Sequence, residues 1–415
     1  MTRFCWTIIF LAPCCGAQTM SAPDSLGPSR TRAVQLTASY ASDAIANVQG
    51  GRRRASTYVD ETSVQLTFDL ARIVRWPGAT AFVSGMRTHG GEPSDIVGDL
   101  QGTSNLAAPP LLRIEEAWLQ QNFASNRLSL LAGRYDLNSE FYRPQSAALF
   151  LNASFELGPE LSQSGWSGPS TSPHTSFGVR FAVKPSPNVV WRTFVAPQRV
   201  PGGAPPDASG GSLFTSELAL LQRPSTSTEP RRARFHIGRG RARLYSAKLA
   251  VGGWYYSGRF PALAETTSDG AAVLIHGARG AYLLGDLSFW RQHVVVPVDT
   301  ASARTLSVFL QLGAGDGRVW QTARYVGTGV TLTGTLPGRN DDELGLALAS
   351  AQNGADWAQS QIGAAPSEVA WELSYLAQVA GWLAVQPDVQ YVVHPGATHT
   401  LANAVVLALR VELSH

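Results

Sequence analysis

Residues 131–170 read LAGRYDLNSEFYRPQSAALFLNASFELGPELSQSGWSGPS. The stretch leaves a segment of alternating apolar residues (Leu128, Leu130, Ala132). It runs through clustered polar, aromatic and glycine residues and meets a second alternating segment at Phe177. A connection of this length without a period of its own is rare inside a compact domain and is usually functional. It reads as a long loop packed into something larger, carrying Arg134, Asp136, Asn138, Glu140, Asn152 and Trp166. The segments on either side decide what that larger thing is.

Those segments alternate with a period of two, so successive side chains point to opposite faces of a strand. Val64, Leu66, Phe68 and Leu70 oppose Gln65, Thr67 and Asp69. Phe177, Val179, Phe181 and Val183 oppose Gly178, Arg180, Ala182 and Lys184. The same pattern returns at 306–312, 326–333, 368–375, 385–391 and 405–413. Tight turns are expected at Trp76-Pro77-Gly78 and Pro185-Ser186-Pro187-Asn188, and loops at 50–54, 90–110 and 197–211.

Composition narrows the class. Charged residues make up 15% of the 415 and hydrophobic ones 44%, a mixture suited to short alternating strands. A net charge of +3, without interleaved basic and aromatic residues, gives no reason to expect nucleic acid. Cys5, Cys14 and Cys15 lie at the N-terminus, within a segment that reads as a secretory signal: Arg3, the apolar run Trp6–Pro13, then Cys15-Gly16-Ala17 as a cleavage site. The expected organisation is a cleaved signal peptide over 1–17, a flexible lead over 18–33 and one domain over 34–415. Beyond the signal, no apolar run reaches the ~20 residues of a membrane helix.

An all-β chain of this kind has two architectures open to it. A soluble sandwich buries its apolar face, whereas a transmembrane antiparallel barrel turns that face to lipid and its polar face to a lumen. Short turns alternating with long loops favour the barrel, and so does a final strand near the C-terminus. Trp76, Tyr135, Trp191, Trp320, Tyr325, Trp371, Tyr375, Trp382 and Tyr391 also sit near strand ends, where interfacial girdles belong. At roughly 22–25 residues per strand and connection, about 16 strands fit.

Several blocks, in order, resemble the carbohydrate-selective porins of the OprB family. They are Asn47-Val48-Gln49-Gly50-Gly51-Arg52, the turn at 76–78, Gly98-Asp99-Leu100-Gln101, Ser104-Asn105, and Arg113, Glu116, Trp118 and Leu119. Gly133–Phe141 and Leu149–Ser170 form the strongest block, and Leu373–Tyr375, Trp382, Val385–Asp388, Tyr391 and Pro395-Gly396 follow. The resemblance implies a barrel of 16 strands in the outer membrane, with an inward-folded constriction loop and passive diffusion of monosaccharides. The chain departs from the family in its terminal His415, where outer-membrane proteins usually end in an aromatic residue, and in the basic stretch 225–243.

A sugar pore needs polar groups that replace hydration water, aromatic faces for the ring, and binding weak enough for release. Arg134, Asp136, Asn138, Glu140 and Asn152 are the first candidates, followed by Arg113, Glu116, Trp118 and Trp166. Arg180, Lys184, Glu372, Asp388 and Arg410 read as a solvated channel wall. The adjacent Glu115 and Glu116 are expected on opposite faces of a strand, which would deny them glycosidase chemistry. Neither H-E-x-x-H nor G-x-S-x-G is present. No cofactor or metal is expected. The expected partners are small carbohydrates, outer-membrane lipid, lipopolysaccharide and the barrel-assembly machinery, with monomer against homo-oligomer left open. A pore of this family for polyols or small organic acids, a plugged barrel, and a secreted sugar-binding or hydrolytic sandwich are the alternatives.

Overall fold

The computed structural model describes residues 32–198, 211–222, 245–294, 302–334, 336 and 339–414. The signal segment, the lead up to residue 31, the basic stretch 225–243 and His415 lie outside the described residues.

Each alternating segment forms a strand. β1 (Val34–Gly51), β2 (Ala55–Asp69), β3 (Ala79–Gly90), β4 (Leu111–Phe123), β5 (Leu128–Tyr135), β6 (Ser176–Ser186), β7 (Val189–Pro197) and β8 (Ser212–Gln222) follow one another around the sheet. β9 (Ala247–Thr266), β10 (Ala272–Val294), β11 (Ser302–Ala314), β12 (Thr322–Thr333), β13 (Glu343–Asn353), β14 (Ser367–Ala380), β15 (Leu383–Val393) and β16 (Ala402–Ser414) continue in the same sense. Neighbours are antiparallel, and β16 closes onto β1 with Arg410 opposite Asp43. The result is a closed barrel with no free edge, which a lipid surround requires.

The direction of the faces separates barrel from sandwich. Leu112 is 82% exposed, Phe177 65% and Leu373 49%, all on the outer surface. Their inward neighbours Glu116, Arg180 and Glu372 are buried. Apolar residues therefore point out and polar ones in, the arrangement of a membrane barrel. Among the described residues no helix is long and apolar enough to cross a membrane, so the crossing belongs to the strands.

Turns 124–127, 187–188 and 381–382 close one rim, and the loops 91–110 and 136–175 rise from the other. The connection expected at Trp76-Pro77-Gly78 begins earlier. Asp69 caps a single helical turn, α1 (Leu70–Ile73), and β2 ends there instead of including Leu70. The aromatic girdle also needs correcting. Trp76, Trp191, Trp371, Trp382 and Tyr391 are exposed, whereas Tyr135, Trp320 and Tyr325 are buried inside the barrel. An even spacing along a strand fixes the face of a side chain but not which face is the lumen, so position near a strand end misassigns these three.

The inner wall is uneven. β12 to β14 present small residues inward, among them Gly345, Ala347, Ala349 and Ala370, and Leu149, Phe150 and Phe155 of the 136–175 loop pack into that bed. A Cβ on Gly345 would lie 2.5 Å from Leu149 Cδ2 and 2.7 Å from Phe150 Cζ. Gly133 does related work on β5, directly opposite Trp118. Its φ of 143° is unfavourable for other residues, and a Cβ there would meet Ala117 O and sit 2.6 Å from Trp118 Cα. Gly133→Ala is expected to cost about 1–3 kcal/mol and to shift the Trp118 ring. Urea unfolding and Trp fluorescence of the refolded barrel check both effects.

Candidate functional site

The long loop is a chain of short capped turns. Asp136 accepts the Asn138 amide at 2.9 Å and starts a 3-10 turn over Leu137–Ser139. Asn152 accepts the Ser154 amide at 3.1 Å and starts another over Ala153–Phe155. Pro159 opens a helical turn, designated α2 (Pro159–Ser162). Asp and Asn are favoured at such positions because their oxygens satisfy amides left free at the start of a turn. The Asp136-Leu137-Asn138 and Leu151-Asn152-Ala153-Ser154 segments therefore have a local folding role.

The loop then docks on the wall running from β8 to β15. Tyr142 N donates to Glu217 on β8 (2.9 Å), and Ser146 donates through N and Oγ to Asp286 on β10 (3.0 and 2.7 Å). Gln311 Nε2 on β11 donates to Phe155 O (3.0 Å), and Tyr325 OH on β12 to Ser154 O (2.9 Å). Glu372 on β14 accepts the amides of Leu151 and Asn152. Glu372 and Arg180 are thus covered anchors for the loop, which corrects their expected place on a solvated wall. Asp388 and Arg410 are likewise buried. The loop 91–110 folds in beside it: Glu368 on β14 accepts the amides of Leu100 (2.7 Å) and Gln101 (3.0 Å).

Charge inside the barrel divides in two. One set is buried and paired. Glu140 accepts from Arg180 Nε at 2.7 Å and from Tyr135 OH at 2.5 Å, with Arg192 Nε 3.6 Å away. Glu217 lies 3.5 Å from Arg192 and 3.4 Å from Lys248, and Arg410 pairs with Asp43 at 2.6 Å.

The second set faces open space. Between the docked loop and the wall β16–β1–β2–β3–β4 lies a cavity of about 830 Å³. The Phe82 and Trp118 rings stack on its wall, centroids 4.9 Å apart and planes 21° apart. Trp118 Nε1 donates to Glu116 Oε2 (3.1 Å), which also accepts the Asp136 amide (3.1 Å). Glu61, Glu115, Asp136, Arg143 and Glu156 line the same space.

Glu115 and Glu116 both turn inward, which corrects the expectation that they face opposite sides. Ser84 pairs with Glu116 and Gly85 with Ile114, so Glu115 is the extra residue of a β-bulge. Ser84 Oγ bridges them, accepting the Glu116 amide at 3.1 Å and lying 3.4 Å from Glu115 Oε2.

Of the sequence-derived candidates, Asp136, Asn138, Glu116 and Trp118 line the cavity. Glu140, 4% exposed, sits in the buried ion network. Asn152 is buried as a turn cap with its Nδ2 on Gln390 (3.2 Å). Arg134 pairs in register with the outward Phe177 and reaches Thr175 Oγ1 (2.8 Å). Arg113 meets His174 Nδ1 at 3.2 Å, and Trp166 donates to Arg259 O at 3.0 Å. Glu61, Phe82, Glu115, Arg143 and Glu156 were not singled out from sequence. Glu61 and Phe82 were within reach, being on the polar faces of β2 and β3, whereas the bulge leaves no mark in the sequence.

Burial raises the Asp136 carboxyl to about 8, helped by the charges of Glu115 and Glu156. Burial also raises Glu160 on α2 to about 7, though Tyr142 OH donates to it at 2.8 Å. A carboxyl whose folded-state pKa is raised stabilises the docked loop least once it must ionise. Docking should therefore weaken as pH climbs from the unfolded value of about 4.5 through about 7. Glu160→Gln is expected to flatten that slope, read as urea midpoint against pH between 5 and 8. Among the described residues no group of three His, Cys, Asp or Glu could hold a metal ion.

Residues 53–414 match a family model described as carbohydrate-selective porin, OprB family. Porin B of Pseudomonas aeruginosa is 23% identical over 416 residues, spanning 90% of this chain and 86% of its own. A high-pH structure of OprB from Pseudomonas putida superimposes with a TM-score of 0.76 at 18% identity, covering 92% of this chain and 94% of that one. A low-pH structure of the same protein gives 0.52 at 15% identity, covering 92% and 93%.

Proposed function

Since the chain belongs to the OprB family of carbohydrate-selective porins, we propose that the lane between the docked loop and β1–β4 is its sugar path. The protein is an outer-membrane porin for sugar diffusion. One observation carries the finer reading: a lane of about 830 Å³, part carboxylate-lined and part apolar, with a stacked Phe82–Trp118 pair beside the Glu116 carboxylate. An aromatic face suits the C–H surface of a pyranose, while carboxylates and amides accept its hydroxyls. Trp118, Glu116, Asp136 and Asn138 are assigned to solute contact. Arg134, Glu140, Asn152, Arg113 and Trp166 are assigned to holding the loops around it.

The solutes are monosaccharides and compounds of similar size, and no chemical step is assigned to the chain. Small organic acids suit the carboxylate-lined wall less well than neutral sugars. The outward apolar band would meet lipid and lipopolysaccharide after insertion by the barrel-assembly machinery.

Swelling of liposomes carrying the purified porin tests the reading. Glucose should enter rapidly and a disaccharide markedly more slowly. Absence of glucose entry through inserted protein would mean a plugged barrel and overturn the assignment.

A further inference from the structure

We propose that the lane selects solutes by charge, favouring small cations and protonated amino sugars over anions, with Glu61, Glu115, Glu116, Asp136 and Glu156 as its specificity-determining residues. The inference rests on the lane being the conducting path. These carboxylates come from β2, β4 and the long loop and all line the one cavity. Glu115, Asp136 and Glu156 lie within electrostatic reach of Glu61, and Glu115 and Asp136 within reach of Glu116.

Several of the positive charges inside the barrel are placed otherwise. Arg180, Arg192 and Lys248 are buried against Glu140 and Glu217 behind the loop, and Arg410 against Asp43. Arg72, which lines the cavity, is paired with Asp69 at 3.1 Å. Arg143 faces the carboxylates from the loop and acts on Asp136, Arg113 acts on Glu115, and Arg410 acts on Glu61. With Asp69 and Glu412, seven carboxylates line the lane against four arginines, Arg32, Arg72, Arg143 and Arg410, and of these Arg72 and Arg410 are held by Asp69 and Asp43.

A second feature points to a bound donor. Ser63, two residues along the same face from Glu61, and Gln101 each line the cavity at 4% exposure. Ser63 Oγ and Gln101 Oε1 have no partner in the protein. An ammonium group carries three donors and no acceptor, which matches a wall of carboxylate, hydroxyl and amide oxygens. The carboxylates are spread along the lane and form no metal cage, so they concentrate cations without trapping them.

The test is the reversal potential of the purified porin in a planar bilayer under a KCl gradient at pH 9, above the raised Asp136 value of about 8, with liposome swelling in glucose alongside. The wild type should pass K⁺ over Cl⁻ by about tenfold. The ratio should fall toward unity in a Glu61→Gln, Glu115→Gln, Asp136→Asn variant, and protonated glucosamine should lose its advantage over glucose in the same variant. Glu61→Lys, a single change that shifts the wall by two charges against the triple variant's three, should also lower the ratio and guards against misfolding of the triple variant. Glucose entry with a wild-type ratio at or below unity overturns this proposal alone. A ratio unmoved by both variants also overturns it. Failure of glucose entry overturns the porin reading with it.

Discussion

Glu140→Ala is expected to destabilise the barrel by about 3–5 kcal/mol, because truncating one member of a buried ion pair leaves its partner's charge uncompensated. Glu140 stands between Arg180 and Arg192, and both guanidinium groups are almost fully buried. Arg180 would keep Ser129 Oγ at 2.8 Å and Gln120 Oε1 at 2.7 Å, neither of them charged. Urea unfolding in detergent, followed by tryptophan emission, reads the loss. Glu140→Gln keeps an acceptor for Arg180 and Tyr135 and should lose less. A change under about 1 kcal/mol for the alanine variant would show that Glu140 does not hold the loop.

Glu372→Ala should act on the pore more than on the barrel. Its carboxylate is the acceptor for the Leu151 and Asn152 amides. Each buried N–H left without a partner costs about 1–3 kcal/mol, so the stretch 149–155 should leave the β12–β14 wall. The strand ladder is untouched, since the β13–β14 and β14–β15 registers do not depend on this side chain. Released, the loop would no longer define the lane. Disaccharide entry should rise toward the glucose rate while glucose itself gains little. Unchanged discrimination between the two sugars would place the sieve elsewhere.

The barrel was legible because its rule is local. Val64 against Gln65 or Phe177 against Arg180 is read within one strand, and sixteen such strands close in sequence order. The importance of 131–170 was also legible, since Asp136 and Asn152 announce capped turns inside an aperiodic stretch. Which side of that loop faces solute was not. Asp136 and Glu140 are both acidic and lie in one motif, yet Asp136 lines the cavity and Glu140 is held between arginines contributed by β6 and β7. Contacts such as Asn152 with Gln390 and Leu151 with Glu372 join residues more than two hundred positions apart. No periodicity within either segment encodes them. Glu115 escaped for a different reason: a bulge reverses the parity on which its face was assigned.

The sugar path is tested most directly by blocking it. The sequence has no cysteine after Cys15, so a single introduced thiol can be labelled in an otherwise thiol-free barrel. Ser39 on β1 and Ala148 on the loop both line the lane, and each accepts cysteine with little change in volume. Liposomes carrying Ser39→Cys or Ala148→Cys should swell in glucose at the parent rate, and a bulky, membrane-impermeant maleimide should stop that swelling in the variants alone. Complete labelling at both positions with undiminished glucose entry would contradict a sugar path between the loop and β1–β4.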